Sequence, residues 1–391
     1  MTASRRWANL GAAAGAVAAA LFAGFDLYQW AIAYASDRFH NDFTFYYAAA
    51  RIGLTHGWPS IYDLGLLQKE LDSMGSGITI AALARYISPP PLAWSALPLT
   101  ALPFPAAYAV WSAILLAALG LSWWLAAPGI GPRRLILLAA AVGWLPVIYC
   151  LQLGQPGLLV ALGVAASCAL LRSGRPVWAG VALAALVYKP QLALLVPPAL
   201  IVAGRYRTFW SSALTLGLLA IASAIAIGPS TIPVYLSRLS AAASIPVNRE
   251  LTLDFVIGSQ TVTHVIQAVI ALLALALVYR LRRREPEWIY LVAIVGGLLA
   301  SPYLHLDDLL MLGLAGWLAL RLRTARWTFV YVLAAVVAVE GEPIWGPIPY
   351  LVAELGGLVL ISIAAMKPGP DLTGRHDRAA PEFLAHGVVD P

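Results

Sequence analysis

The chain is 391 residues long, 61% apolar and only 11% charged, with a net charge of +6 and a mean hydropathy of +0.79. So small a charged fraction, against roughly a quarter in soluble domains, excludes a soluble globular protein and a soluble domain carrying one anchor. The basic excess is spread along the chain between apolar runs, a placement that argues against a nucleic-acid partner.

The apolar runs must lie in lipid, where only helices and closed barrels satisfy their own backbone. They are rich in Leu, Ala and Val and lack period-2 alternation, so helices are expected. Cutting at charges and at Pro/Gly punctuation gives twelve segments, near residues 8–34, 104–127, 135–150, 157–171, 176–188, 190–203, 209–228, 261–280, 286–301, 307–320, 326–340 and 346–366. Several fall short of the ~20 residues that cross the hydrocarbon. The pair 176–188 and 190–203, split by Pro190, is clearly too short. The first run continues to about Ala33, longer than a signal-peptide core, and reads as an uncleaved span. Cys150 and Cys168 both sit in apolar runs and propose neither a disulfide framework nor a metal site. No cluster has metal-ligand spacing, so no metal is expected.

With the N-terminus placed in the cytoplasm, alternate connections collect Arg133, Arg134, Arg172, Arg175, Arg205, Arg207, Arg280, Arg282 to Arg284, Arg321, Arg323, Arg326 and Lys367. With Arg5, Arg6, Arg375 and Arg378 this side holds 18 of the 25 basic residues. Such asymmetry across short loops is the positive-inside signature. It predicts a multi-pass protein of the plasma (inner) membrane with both termini cytoplasmic. Residues 1–366 form one membrane domain, and the polar tail 367–391 is expected to be disordered.

The one long loop, residues 35–103, falls on the outer side, and long loops are usually functional or disordered. Its composition is not that of disorder. From Phe43 to Leu54, apolar residues at three- and four-residue spacing predict an interfacial amphipathic helix that also carries Tyr46, Tyr47 and Arg51, with Asn41 or Asp42 as N-cap. A second helical stretch covers Leu64 to Ser73. The proline-rich ISPPPLAWSALPLTALPFP from Ile87 suits chain that follows the bilayer surface without a straight span. Asp42 has two readings, a solvated N-cap or a catalytic carboxylate at the lipid boundary.

Three further polar turns fall on the same side. LQLGQPG (151–157) brings Gln152 and Gln155, VYKPQ (187–191) brings Lys189 and Gln191, and SPYLHLDD (301–308) brings His305, Asp307 and Asp308. A lysine in a membrane segment costs ~2.5–3.5 kcal/mol at the helix centre, unless it snorkels to the headgroups. Pro190 ends the helix beside it, as where chain lines a cavity. His305 reads either as part of a capped turn or as a site residue. Asp26, inside the first span, is either an intramembrane functional group or the partner of a nearby tyrosine.

A carboxylate, a cation, a histidine and glutamines beside lipid suit attack by a hydroxyl on a lipid-linked sugar phosphate. The carboxylate takes the acceptor proton as general base, and the cation offsets charge on the departing phosphate. The competing class is a transporter or flippase, since broken helices and intramembrane charges also mark transport sites. No internal repeat is evident, and the polar residues lie at the outer rim, which favours the enzyme.

The ordered pieces DFTFYYAAARIGLTHGWPSIYD, ISPPPLAWSALPL, LGQPGLLVAL, AGVALAALVYKPQLALLVPPAL followed by GRYR, and SPYLHLDDLLML, together covering roughly residues 40–312, resemble glycosyltransferase family 87. The resemblance implies the all-α, polytopic GT-C type of membrane fold. It further implies inverting transfer, typically of mannose, from a polyprenyl-phosphate sugar to a lipid or glycan acceptor at the periplasmic face, without nucleotide sugar or other cofactor. In that pattern Asp42 is the base, with Asp307 and Asp308 as rivals, while Lys189 and His305 line the donor pocket. Gln155, Gln191, Tyr46, Tyr47 and Arg51 complete the candidate substrate contacts.

Overall fold

The computed structural model describes residues 3–80, 86–129, 132–243, 245–322 and 327–366, and among them every regular element is helical. The tail 367–391, with Lys367, Arg375 and Arg378, lies outside the described residues, as do Arg85, Arg323 and Arg326. In chain order the helices are α1 (Ala3–Ser36), α2 (Phe43–His56), α3 (Leu64–Ser73), α4 (Pro90–Ala96), α5 (Phe104–Ala126), α6 (Pro132–Val142), α7 (Leu145–Leu153), α8 (Gly157–Arg172), α9 (Pro176–Ala182) and α10 (Val196–Val202). They continue as α11 (Tyr206–Ile227), α12 (Ile232–Ala243), α13 (Asp254–Ile257), α14 (Gln260–Leu281), α15 (Pro286–Leu299), α16 (Leu310–Leu322), α17 (Trp327–Glu340), α18 (Glu342–Trp345) and α19 (Ile348–Met366).

Each of the twelve apolar segments is present as a helix or a broken helical pair, but they differ in reach. Five stretches are long and apolar enough to cross a bilayer: Ala13–Ser36, Phe104–Ala126, Tyr206–Ile227, Gln260–Leu281 and Ile348–Met366. A sixth is added if Arg134–Val142 and Leu145–Leu153, bent by 54° at their junction, make one broken span. The remaining apolar helices are shorter; α9 and α17 keep Trp178, Phe329, Val330 and Leu333 on the surface, while others are enclosed. α15 is the extreme case, buried from Glu287 through Leu299, as expected of a helix that is apolar on every side. At the expected break, a 3₁₀ turn (Leu183–Val187) and a second one (Pro190–Ala193) replace continuous helix around Lys189 and Pro190.

The connections segregate to two faces. At one, Arg172 Nη1 meets Glu287 Oε1 at 2.5 Å and Arg321 Nε approaches the same oxygen at 3.4 Å, tying α8, α15 and α16 together. At the other, which we call the loop face, Asp42 N donates to Leu153 O at 2.8 Å and Leu304 N to Asn248 O at 3.2 Å. There Thr231 Oγ1 also donates to Pro59 O at 3.2 Å, and Ser95 and Tyr188 share a hydroxyl bond of 2.8 Å.

Two expectations change, one for the long loop and one for the first span. α2 is not an interfacial amphipathic helix: Phe43, Thr44, Tyr46, Tyr47, Ala48, Ala49, Ala50, Ile52 and Gly53 are all buried. The physical reason is the loop itself, because α3, α4 and the 3₁₀ turn Leu97–Ala101 pack over α2 and cover most of its apolar residues, leaving Leu54 exposed. Nor does Asp26 pair with a tyrosine. Its Oδ2 is buried without a hydrogen-bond partner among the described residues. The proline-rich stretch, by contrast, forms no straight span, folding instead into α4 and that 3₁₀ turn with Pro90, Pro91, Leu92 and Ala93 buried.

Small residues let the short helices approach closely, as in other membrane bundles. A Cβ added at Gly180 of α9 would lie 2.4 Å from Thr208 O of α11, whereas one at Gly217 of α11 meets nothing within 4 Å. Gly180→Ala should therefore destabilise the protein by about 1–3 kcal/mol through overpacking. Gly217→Ala should leave stability unchanged or raise it by up to about 1 kcal/mol through helix propensity. Thermal unfolding of both variants in the same detergent checks the opposite signs.

Candidate functional site

Helix α2 is held against the turn after α7 by its first residues. Gly154 ends α7 with φ +66, and a Cβ there would lie 2.7 Å from Phe43 Cβ, so only glycine allows this approach. Asn41, not Asp42, serves as the cap: Thr44 N donates to Asn41 Oδ1 at 3.1 Å, while the Asp42 side chain makes no capping bond. The Asp42 carboxylate is thereby free to turn inward, where it accepts a hydrogen bond from Gln155 Nε2. Tyr46, one helical turn on, donates its hydroxyl to Gln155 Oε1 at 3.2 Å. That bond orients the amide so that its nitrogen faces Asp42.

The second half of the site is a buried ion triad. Lys189 Nζ lies 2.6 Å from Asp307 Oδ2 and 2.7 Å from Asp308 Oδ1, and both aspartates are fully buried. Asp308 Oδ2 also accepts from His305 N at 3.0 Å, closing the turn 301–309. The remaining oxygen, Asp307 Oδ1, has no partner among the described residues. An ammonium has three donors. Two are committed to the aspartates, which leaves one.

The imidazole of His305 is fixed by a residue from a different loop. Its Nε2 lies 2.7 Å from Asn248 Oδ1, and Asn248 Nδ2 donates to Ala242 O at 2.7 Å. With the amide nitrogen used in this way, Asn248 offers His305 an oxygen, so Nε2 carries the proton and Nδ1 keeps its lone pair. The ring stacks on Tyr303 at 5.0 Å.

The electrostatics follow from burial against this one cation. Burial pushes the Asp42 carboxyl above its ordinary range, with Lys189 and the Gln155 hydrogen bond pulling it partly back. Asp307 is pushed up to about 7 by burial, while Lys189 draws it down and Asp308 reinforces the rise. Burial opposes charge on Lys189, but the two aspartates outweigh it and hold the ammonium protonated. His305 is lowered by burial and by Lys189, against the pull of Asp308, so the imidazole is neutral near pH 7.

Asp42, Tyr46, Gln155, Lys189, His305, Asp307 and Asp308 thus form one neighbourhood. Gln191 sits two residues from Lys189 on the 3₁₀ turn Pro190–Ala193, half-buried. Tyr47 and Arg51 are not part of the cluster. The Tyr47 hydroxyl donates to Leu102 O at 2.8 Å, and Arg51 Nε pairs with Glu70 Oε1 at 2.8 Å, pinning α2 to α3. Sequence reasoning missed Asn248, which lies in an unpatterned stretch, and Tyr149 of α7, whose ring is within electrostatic reach of Asp307 and Asp42. Among the described residues no group of His, Cys, Asp and Glu is arranged to hold a metal ion, and Cys150 and Cys168 are both buried and free.

Residues 86–302 match glycosyltransferase family 87. No curated protein and no solved structure matches the chain. The matched stretch contains Gln155, Lys189, Gln191 and Asn248, while Asp42 and the turn His305–Asp308 flank it on either side. It covers more than half of the 391 residues. The chain therefore belongs to glycosyltransferase family 87 and is a membrane glycosyltransferase.

Proposed function

We propose that the protein transfers a hexose, specifically mannose, from a polyprenyl-phosphate sugar to a lipid or glycan acceptor at the loop face, with inversion and with Asp42 as general base. The proposal assigns the loop face to the periplasm and both termini to the cytoplasm of a plasma-membrane protein, because the alternation of apolar runs in the sequence allots 18 of the 25 basic residues to the connections of the opposite side. The observation that carries it is the pairing of an inward-turned carboxylate, oriented by Gln155 and Tyr46, with a buried ammonium that retains one free donor. Family membership removes the transporter reading.

In the step this arrangement supports, an acceptor hydroxyl attacks the anomeric carbon from the side opposite the phosphate. The new C–O bond forms as the C–O bond to the phosphate breaks, and the electron pair leaves on the phosphate oxygen. The acceptor proton passes to Asp42. The free donor of Lys189 is aimed at the growing phosphate charge, where a fixed cation out of water is worth most. Neutral His305, with Nε2–H held by Asn248, presents Nδ1 as an acceptor for a sugar hydroxyl. A donor whose chain stays in the bilayer also accounts for a site placed between short, broken helices.

The direct test is turnover of radiolabelled polyprenyl-phosphate mannose by purified protein with a panel of membrane lipids. Wild-type protein should label a lipid product, and Asp42→Asn should lower the rate by about 10²–10⁴, the range for loss of a general base, without loss of expression. Wild-type rates in that variant would remove Asp42 from the chemistry.

A second prediction concerns pH. Asp307, titrating at about 7, gains a negative charge as pH rises through neutrality, next to the place assigned to an anionic donor. The donor KM should therefore rise between about pH 6 and 8, and Asp307→Asn should flatten that rise; a wild-type KM flat across this window contradicts the assignment. Lys189→Ala should do more than weaken donor use. It strands two buried carboxylates and should cost about 3–5 kcal/mol of stability, read as a lowered Tm, whereas Lys189→Arg should recover most of it.

A further inference from the structure

The loop face holds a concavity of about 650 Å³ on the flank of α2 next to the flank that bears Asp42 and Tyr46. Among its lining residues are Arg38, Phe39, Tyr47, Arg51 and Phe104. Phe39 and Phe104 lie 4.7 Å apart, and Tyr47 meets Phe104 edge-on at 5.6 Å. Because the Tyr47 hydroxyl is spent on Leu102 O, this wall offers rings and not polar groups. Two guanidinium groups line the same concavity. Arg51 uses Nε on Glu70 and lies 5.9 Å over the Tyr47 ring, which leaves its terminal nitrogens. Arg38 is exposed and has no carboxylate within ion-pair distance among the described residues. Asp37 also lines the concavity; its Oδ1 accepts from Phe39 N and His40 N, each at 3.2 Å, and its Oδ2 lies 3.8 Å from His40 Nδ1, so its charge is engaged within its own turn.

The tie to Glu70 accounts for the Nε of Arg51, but no packing contact or ion pair among the described residues accounts for the Arg38 guanidinium. Arginine is scarce on the loop face, so two of them rimming one concavity mark a place for an anion, which the planar fork of guanidinium binds in bidentate fashion. An aromatic wall beside such a rim suits the apolar face of a sugar ring. The concavity is also within reach of the chemistry, since Asp42 follows Phe39 by three positions, at most about 11 Å of chain.

We propose that this concavity is the acceptor subsite and that it takes a saccharide bearing a phosphate or carboxylate group, with the charge between Arg38 and Arg51 and the sugar face on Phe39 and Phe104. The assignment as acceptor subsite rests on the transferase reading above. A glycan running over the turn Phe39–Asp42 brings its terminal hydroxyl to the Asp42 carboxylate. The ring wall then selects a sugar, and the arginines select its charge.

Saturation-transfer NMR on the protein in phosphatidylcholine nanodiscs, with methyl α-mannoside and its 6-phosphate as probes, tests this without any turnover. The phosphorylated probe should bind about tenfold tighter than the neutral one, the scale of one charge-assisted hydrogen bond. Arg38→Gln should erase most of that preference, while Asp42→Asn should keep it. The exposed position of Arg38 keeps folding intact, and Arg51→Gln, which also loses the tie to Glu70, serves only as a supporting variant. Equal binding of the two probes, or a preference that survives in Arg38→Gln, overturns the proposal. So does a preference that disappears when the nanodiscs contain phosphatidylglycerol, because lipid headgroups then occupy the arginines. Binding of the phosphorylated probe by a protein that transfers no sugar would sink the transferase reading and leave the anion site standing.

Discussion

The ammonium of Lys189, held between Asp307 and Asp308, is the interaction on which the site depends. It joins the break between two short helices to a turn about 118 residues later, and all three charged groups are removed from bulk water. Such a triad is not there for stability, since burying charges costs about what their attraction returns. Its effect is positional. The lysine cannot leave its two acids without stranding them, so the broken chain at Pro190 and the turn 301–309 are fixed to each other, and a cation is held beside Asp42.

The rest of the site is built outward from that point by polar residues that orient one another. Asn41 takes over the capping of α2 and releases Asp42. Tyr46 orients Gln155, and Gln155 orients Asp42. Asn248 fixes the tautomer of His305. In each case a group that would otherwise meet water is turned inward by a neighbour with no evident part in the chemistry. The cluster holds three carboxylates against one ammonium, and burial relieves this by raising Asp307 toward neutrality. The fold serves the same end. Short helices that do not reach across the bilayer leave their turns at one level, and the long loop, through α2, α3 and α4, closes over them.

Much of this was legible in the sequence because composition and punctuation are strong signals in membrane proteins. The apolar runs gave the helices, Pro190 marked the break, and the side of each polar turn followed from the alternation of basic connections. What failed was decided by how individual side chains pack against distant residues. The spacing of Phe43, Tyr46, Tyr47 and Ala50 looks amphipathic, but whether the opposite face meets water or α3 and α4 is a tertiary fact, and here it is packed. Asp42 and Asn41 are equally good caps on paper, and only the inward turn toward Gln155 separates them. Tyr47 and Arg51 sit one residue or one turn from site residues, yet helical rotation carries them to the adjoining flank. Asn248 has no motif at all; its role exists only because the loop before α13 folds against the turn at His305.

The central claim is that the turn at Gln155 acts through Asp42 as part of one catalytic unit, and a double-mutant cycle on single-turnover sugar transfer tests it most directly. Gln155→Ala should slow the wild-type protein but have no further effect once Asp42 is Asn, because the amide then has no base to orient. Fully additive losses from the two substitutions would mean that the groups act independently, and would contradict the account.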